Sequence, residues 1–85
     1  MPIGGIVITV HPDDRKDVEV ALASFLELTV YGSDEKGNII CMLTGSDADS
    51  IHGTIQEIEM VDAVVSVTLA YLNEEDEQED RPAAR

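Results

Sequence analysis

The sequence predicts an α+β domain, one four-stranded antiparallel sheet with two helices on one of its faces. Three observations carry this. Apolar residues alternate along short stretches such as Ile6, Ile8 and Val10, as they do on a half-buried strand. The two halves of the chain repeat one order, strand, helix, strand. Aromatics make up only 4% of the residues and Trp is absent, so the core falls to Val, Ile and Leu, which favours strands.

The elements follow in order. Ile6, Ile8 and Val10 mark the first strand, and Pro12 ends it. Asp13 or Asp14 is placed to cap a helix whose apolar face is Val18, Leu22 and Phe25, at i, i+4 and i+7. A second strand runs around Leu28 to Tyr31, and "GSDEKGN" makes the turn after it, with Gly32 and Gly37 able to take positive φ. The second half begins with the strand "IICML" at 39–43. Ser46 or Asp47 caps the next helix, whose face is Ile51, Ile55 and Ile58, with Gly53 costing it about 1 kcal/mol relative to Ala. A final strand pattern starts at Val61.

Two such halves in 85 residues point to the ferredoxin-like split β-α-β (βαββαβ), strand order 4-1-3-2, over residues 1–73. Residues 74–85 read as an acidic tail without fixed structure. By alternation Ile6, Ile8, Ile39, Cys41, Leu43, Val65, Val67 and Leu69 face the helices. Val7, Thr9, Ile40, Met42, Thr44, Val64, Ser66, Thr68 and Ala70 then line the open face. This face is either an ordinary solvated surface or a platform for an amphipathic or apolar peptide, with Met42 as an adaptable contact.

Charge limits the partners. Eighteen acidic residues against five basic ones give −13. Six of the acids lie in the tail (Glu74, Glu75, Asp76, Glu77, Glu79 and Asp80), and before it only Arg15, Lys16 and Lys36 are basic. Such a surface repels nucleic acid and anionic membrane and attracts cationic peptides. The tail also follows a predicted sheet edge, where dense charge discourages pairing with other chains. Steering of a basic peptide is a second role compatible with the first.

No catalytic, metal or cofactor constellation emerges. His11 with Asp13 and Asp14 reads as a strand end and a helix cap, and His52 as a boundary residue of its helix. Cys41, the only cysteine, alternates into the core and reads as a small hydrophobe, with no internal disulfide possible. The first loop lacks the C-x-x-C of a copper carrier and the basic groups of a phosphate cradle, and the middle strands lack the stacking aromatics of an RNA binder. MPIGGIVITV has no basic leader and no stretch reaches the roughly 18 apolar residues of a membrane span, so the expectation is a cytoplasmic protein without membrane insertion.

"IVITVHPDDRKDVEVAL", the block "GNIICMLTGSDADSIHGTIQEIEMVDAVVSVTLAY" and the acidic end resemble the NapD family, assembly chaperones of the periplasmic nitrate reductase. The last strand, Val61 through Tyr71, carries the most specific pattern, and the similarity spans roughly residues 3–73. The resemblance implies a non-enzymatic cytoplasmic chaperone, without a cofactor of its own. Its partner would be the twin-arginine signal peptide of the NapA precursor, held back from export until the molybdenum cofactor is inserted. The expected peptide contacts are Val7, Thr9, Ile40, Met42, Ser66, Thr68 and Ala70. The acidic rim for the arginines is open among Asp34, Glu35, Asp62 and the tail. The rivals are a small-molecule module of ACT type, although Pro12-Asp13-Asp14 occupies the place of its glycine turn, and a domain that dimerises through its exposed sheet.

Overall fold

Residues 6–10 are five consecutive β-branched residues, which favour extended backbone, and the segment Ile3–Val10 forms the central strand β1. The computed structural model describes residues 2–73. After β1 come a 3-10 turn at Pro12–Asp14, helix α1 at Arg15–Leu22, strands β2 at Leu28–Ser33 and β3 at Asn38–Thr44, helix α2 at Ala48–Glu59, and strand β4 at Val64–Asn73. The sheet is antiparallel with the order β2-β3-β1-β4, the predicted 4-1-3-2 arrangement.

The core lies between one sheet face and the helices. Ile6, Ile8 and Val10 meet Ile39, Cys41 and Leu43 from β3, Val18 and Leu22 from α1, and Ile51 and Ile58 from α2, all nearly solvent-free. Phe25, Ile55, Val67 and Leu69 pack around them. Among the described residues no polar or charged side chain is buried, so no buried charge or side-chain hydrogen bond needs satisfying there. α2 comes close to β1 at Gly4, where an added Cβ would sit 3.3 Å from Ile51 Cγ2.

The helix ends differ from one another. Of the two expected candidates, Ser46 and Asp47, it is Asp47 that caps α2, its Oδ1 accepting from the Ser50 N–H at 2.8 Å. Asp13 and Asp14 make no such bond. Pro12 opens a 3-10 turn instead, in which the Asp14 N–H donates to the His11 carbonyl at 2.9 Å, and this turn feeds directly into α1. Of the two turn glycines, Gly37 takes a positive φ of 99° and Gly32 does not. The Gly37 carbonyl accepts from the Val10 N–H at 2.8 Å, which fastens the β2–β3 hairpin to the end of β1.

β4 departs from strict alternation. Val61–Ala63 form a turn rather than a strand start, and Ala63 adopts φ 75°, a left-handed conformation uncommon for a residue with a side chain. Thr9 pairs with Ser66 and Val10 with Val64, so Val65 has no opposite residue. The expected places of two neighbours are therefore exchanged: Val64 packs against the core, and Val65 is 60% exposed. A second register shift, between Gly5 and Ile6, leaves Ala70 unpaired and turns Tyr71 onto the face away from the helices. β2 has one as well, where Tyr31 lies between the pairs Val30–Cys41 and Gly32–Ile40. All of these shifts fall in pairings made by the two edge strands, where bulges discourage further strand addition. The acidic stretch at 74–85 lies outside the described residues.

Candidate functional site

Both helices lie on one side of the sheet, so among the described residues nothing covers the opposite side. The register brings together the residues expected there: Val7 lies between Ile40 and Thr68, and Thr9 between Asn38 and Ser66, while Met42 pairs with Gly5. Ala70, although unpaired, lines the same surface. Thr44 shares it at the strand end.

The face is divided along the strands. Toward the β2–β3 hairpin it is polar, with Thr9, Asn38, Ser66 and Thr68, and the Thr9 hydroxyl is 3.4 Å from Asn38 Oδ1. Toward the start of β1 it is apolar and hollow, lined by Gly5, Val7, Ile40, Met42, Ala70, Tyr71 and Tyr31. Ile40 is 48% exposed, Tyr71 49% and Tyr31 69%, an unusual exposure for large apolar side chains gathered in one place. The Tyr71 hydroxyl donates to Met42 Sδ at 3.2 Å. Simple alternation misses Tyr71, which the register shift on β4 directs here, whereas Tyr31 keeps the side of Thr29, the partner of Met42. Gly5 was accessible to sequence reasoning, since it precedes the inward-facing Ile6 by one residue.

The acidic candidates separate by environment. Asp34 is committed to its own hairpin: Oδ1 accepts from the N–H groups of Lys36 at 2.9 Å and Asn38 at 3.0 Å, and Oδ2 from Asn38 Nδ2 at 2.9 Å. The Asn38 side-chain bond, followed by its backbone bond, holds the Asp34 carboxyl below its ordinary pKa. Its acceptor sites are largely occupied within the turn. Glu35 and Asp62 are exposed at the same end of the sheet, beyond Val10 and Val64. Arg15, Lys16 and Lys36 also lie at this end, and Arg15 Nη1 donates to Ser33 Oγ at 2.7 Å and approaches Glu19 at 3.5 Å. Local cations thus offset the charge of this rim.

The residues considered for chemistry are placed apart from one another. His11 and His52 are exposed in separate elements, and among the described residues no group of three or more His, Cys, Asp or Glu side chains is arranged to hold a metal. Cys41 is buried, and its thiol is pushed up to about 11, first by burial and then by the charge of Glu19, so a thiolate is strongly disfavoured. Among the described residues no helix is long and apolar enough to cross a membrane.

No curated protein matches the sequence. In three dimensions the chain is similar to a protein solved in solution, the E. coli Tat proofreading chaperone protein NapD, with a TM-score of 0.77 and 24% identity, covering 98% of this chain and 88% of that one. That likeness supports the fold, and the sequence profile described as NapD protein matches residues 1–76, nearly the whole chain. The chain belongs to the NapD family.

Proposed function

We propose that this protein is a non-enzymatic cytoplasmic chaperone that binds the twin-arginine signal peptide of the NapA precursor on the open face of its sheet. Binding withholds the precursor from export until its molybdenum cofactor is in place. The observation that carries the reading is the uncovered face itself, with its apolar hollow, in an acidic protein of the NapD family. A twin-arginine signal joins a basic segment to a moderately apolar one. An apolar surface on a protein of net charge −13 complements both parts.

The hollow suits a peptide better than an amino-acid effector. Its lining holds no charged side chain and, beyond the tyrosine hydroxyls, no polar one, whereas an amino acid would bring a carboxylate and an ammonium group that need partners. Calorimetry with the NapA-type signal peptide and its Lys-Lys variant tests the proposal. Saturable heat with the first and weaker binding of the second is expected. No heat, and no NMR shift changes at high micromolar peptide, would sink it.

A further inference from the structure

The polar half of the open face holds a carbonyl whose direction is fixed from behind. Asn38 stands at the start of β3, opposite Thr9, and its Nδ2 donates to Asp34 Oδ2 at 2.9 Å. An ionised carboxylate can only accept, so the amide nitrogen faces Asp34 and the amide oxygen faces away from it. That direction is the open face, where Asn38 Oδ1 stands 3.4 Å from the Thr9 hydroxyl oxygen. The side-chain and backbone bonds from Asn38 hold the Asp34 carboxyl below its ordinary pKa, and its charge behind the amide makes Oδ1 a stronger acceptor.

Both oxygens keep capacity for a further donor. An O–H···O bond is ordinarily about 2.7–2.8 Å long, so the 3.4 Å contact is weak and saturates neither partner. Thr9 and Asn38 are half-buried, and the exposed Ser66 borders Thr9 on the β4 side. The spacing also selects among donors. Two oxygens 3.4 Å apart subtend too narrow an angle at one ammonium nitrogen for two of its tetrahedral hydrogens to point at both. The parallel N–H groups of a guanidinium leave from two nitrogens and can meet both. Among the described residues this end of the domain carries Asp13, Asp14, Asp34, Glu35 and Asp62 against Arg15, Lys16 and Lys36, and Arg15 is engaged by Ser33 and Glu19. The surrounding charge therefore does not oppose a cation.

Accepting the signal-peptide reading on which this rests, we infer that Asn38 Oδ1, with the Thr9 hydroxyl beside it, accepts a guanidinium of the twin-arginine pair, and that Asp34 is the positioning residue that aims the amide. Asp34 acts through Asn38 and not by contact, in keeping with its occupied oxygens. Arginine is then read by neutral oxygens in a fixed geometry that lysine does not match. Asn38 sets the selectivity for arginine more than the total affinity.

Calorimetry of the full-length protein with the NapA-type signal peptide and its Lys-Lys variant tests this, with Asn38→Leu and Thr9→Val beside the wild type. The wild type should prefer the arginine peptide. Asn38→Leu should bind that peptide roughly tenfold more weakly while its affinity for the Lys-Lys peptide changes little. Thr9→Val keeps the β-branched shape on the strand and should reduce the preference in the same sense, so it makes the measurement if Asn38→Leu fails to fold. Asp34→Asn can set an N–H against the Asn38 amide, which then turns over, and this variant should lose the preference with Asn38 still in place. In labelled wild-type protein the Asn38 side-chain amide signals should shift with the arginine peptide and not with the other. Equal weakening of both peptides in a folded variant, an arginine preference that survives in the folded variants, or equal binding of both peptides by the wild type overturns the assignment and leaves the signal-peptide reading standing. Wild-type protein that binds neither peptide overturns that reading and the assignment with it.

Discussion

The two faces of this sheet are built from the same strands and do opposite things. On one, Ile6, Ile8, Ile39, Cys41 and Leu43 interlock with the helices and are almost wholly removed from water. On the other, Val7, Thr9, Ile40 and Met42, the residues between them, have no covering layer among the described residues. The difference teaches that burial in this small domain is concentrated on one side. The helical face carries the stability, since each fully buried Ile or Leu is worth about 1.5–3 kcal/mol. The open face is free to be mixed in polarity because little stability depends on it.

The sharpest way to break this contrast is to cut the covered face. Leu22→Ala, or Ile51→Ala in the first turn of α2, should destabilise the fold by about 2–5 kcal/mol in chemical denaturation, since both side chains are fully enclosed. A neutral result at both sites would mean that the helices do not carry the stability.

A second measurement uses pH. The folded state raises the Cys41 thiol from 9.0 to about 11, so the native protein holds that proton more tightly than the unfolded chain. The contribution is fully present below about pH 9 and is lost as pH rises toward 11. Cys41→Val should remove this alkaline loss, and an identical pH profile in the variant would rule the thiol out as its source. Asp34 on the exposed hairpin has the opposite sign. Its lowered carboxyl pKa favours the native state above the ordinary carboxylate range and ceases to do so in acid, and an NMR titration should show a midpoint below the ordinary aspartate value of 3.8.

A smaller effect comes from the outer side of α2. Gly53 has nothing within 4 Å of where a Cβ would stand and no positive φ, so Gly53→Ala should stabilise the protein by about 0.5–1 kcal/mol. A lower melting temperature would show that the helix needs the glycine. Least of all should stability respond to Thr68→Glu on the open face, within about 0.5 kcal/mol. Peptide affinity should fall markedly in that variant. Normal binding by calorimetry would place the peptide on another surface.

Much of this was legible in local sequence. Strand and helix order, the inward set on β1 and β3, and a cap at Ser46 or Asp47 all follow from period-2 alternation, 3.6-residue periodicity and the short reach of a capping side chain. These depend on residues within a turn or a strand of one another. The acidic excess was equally plain, because it is a property of composition.

What the tertiary structure alone decided lies on the edge strands and the turn. Alternation places Val65 inward and gives no reason to put Tyr71 outward. The pairing with β1 skips Val65 and Ala70 and so moves both neighbourhoods by one position. A skipped residue changes the side of everything beyond it, and where the skip falls depends on how a twisted partner strand meets the ladder, which no local pattern in β4 encodes. Asp34 was an attractive rim residue by charge, yet its oxygens are occupied by Lys36 and Asn38. By itself the sequence determined which residues prefer water and which do not. The fold decided which exposed groups remain available to a partner, because availability depends on partners that only the folded backbone brings within hydrogen-bonding distance.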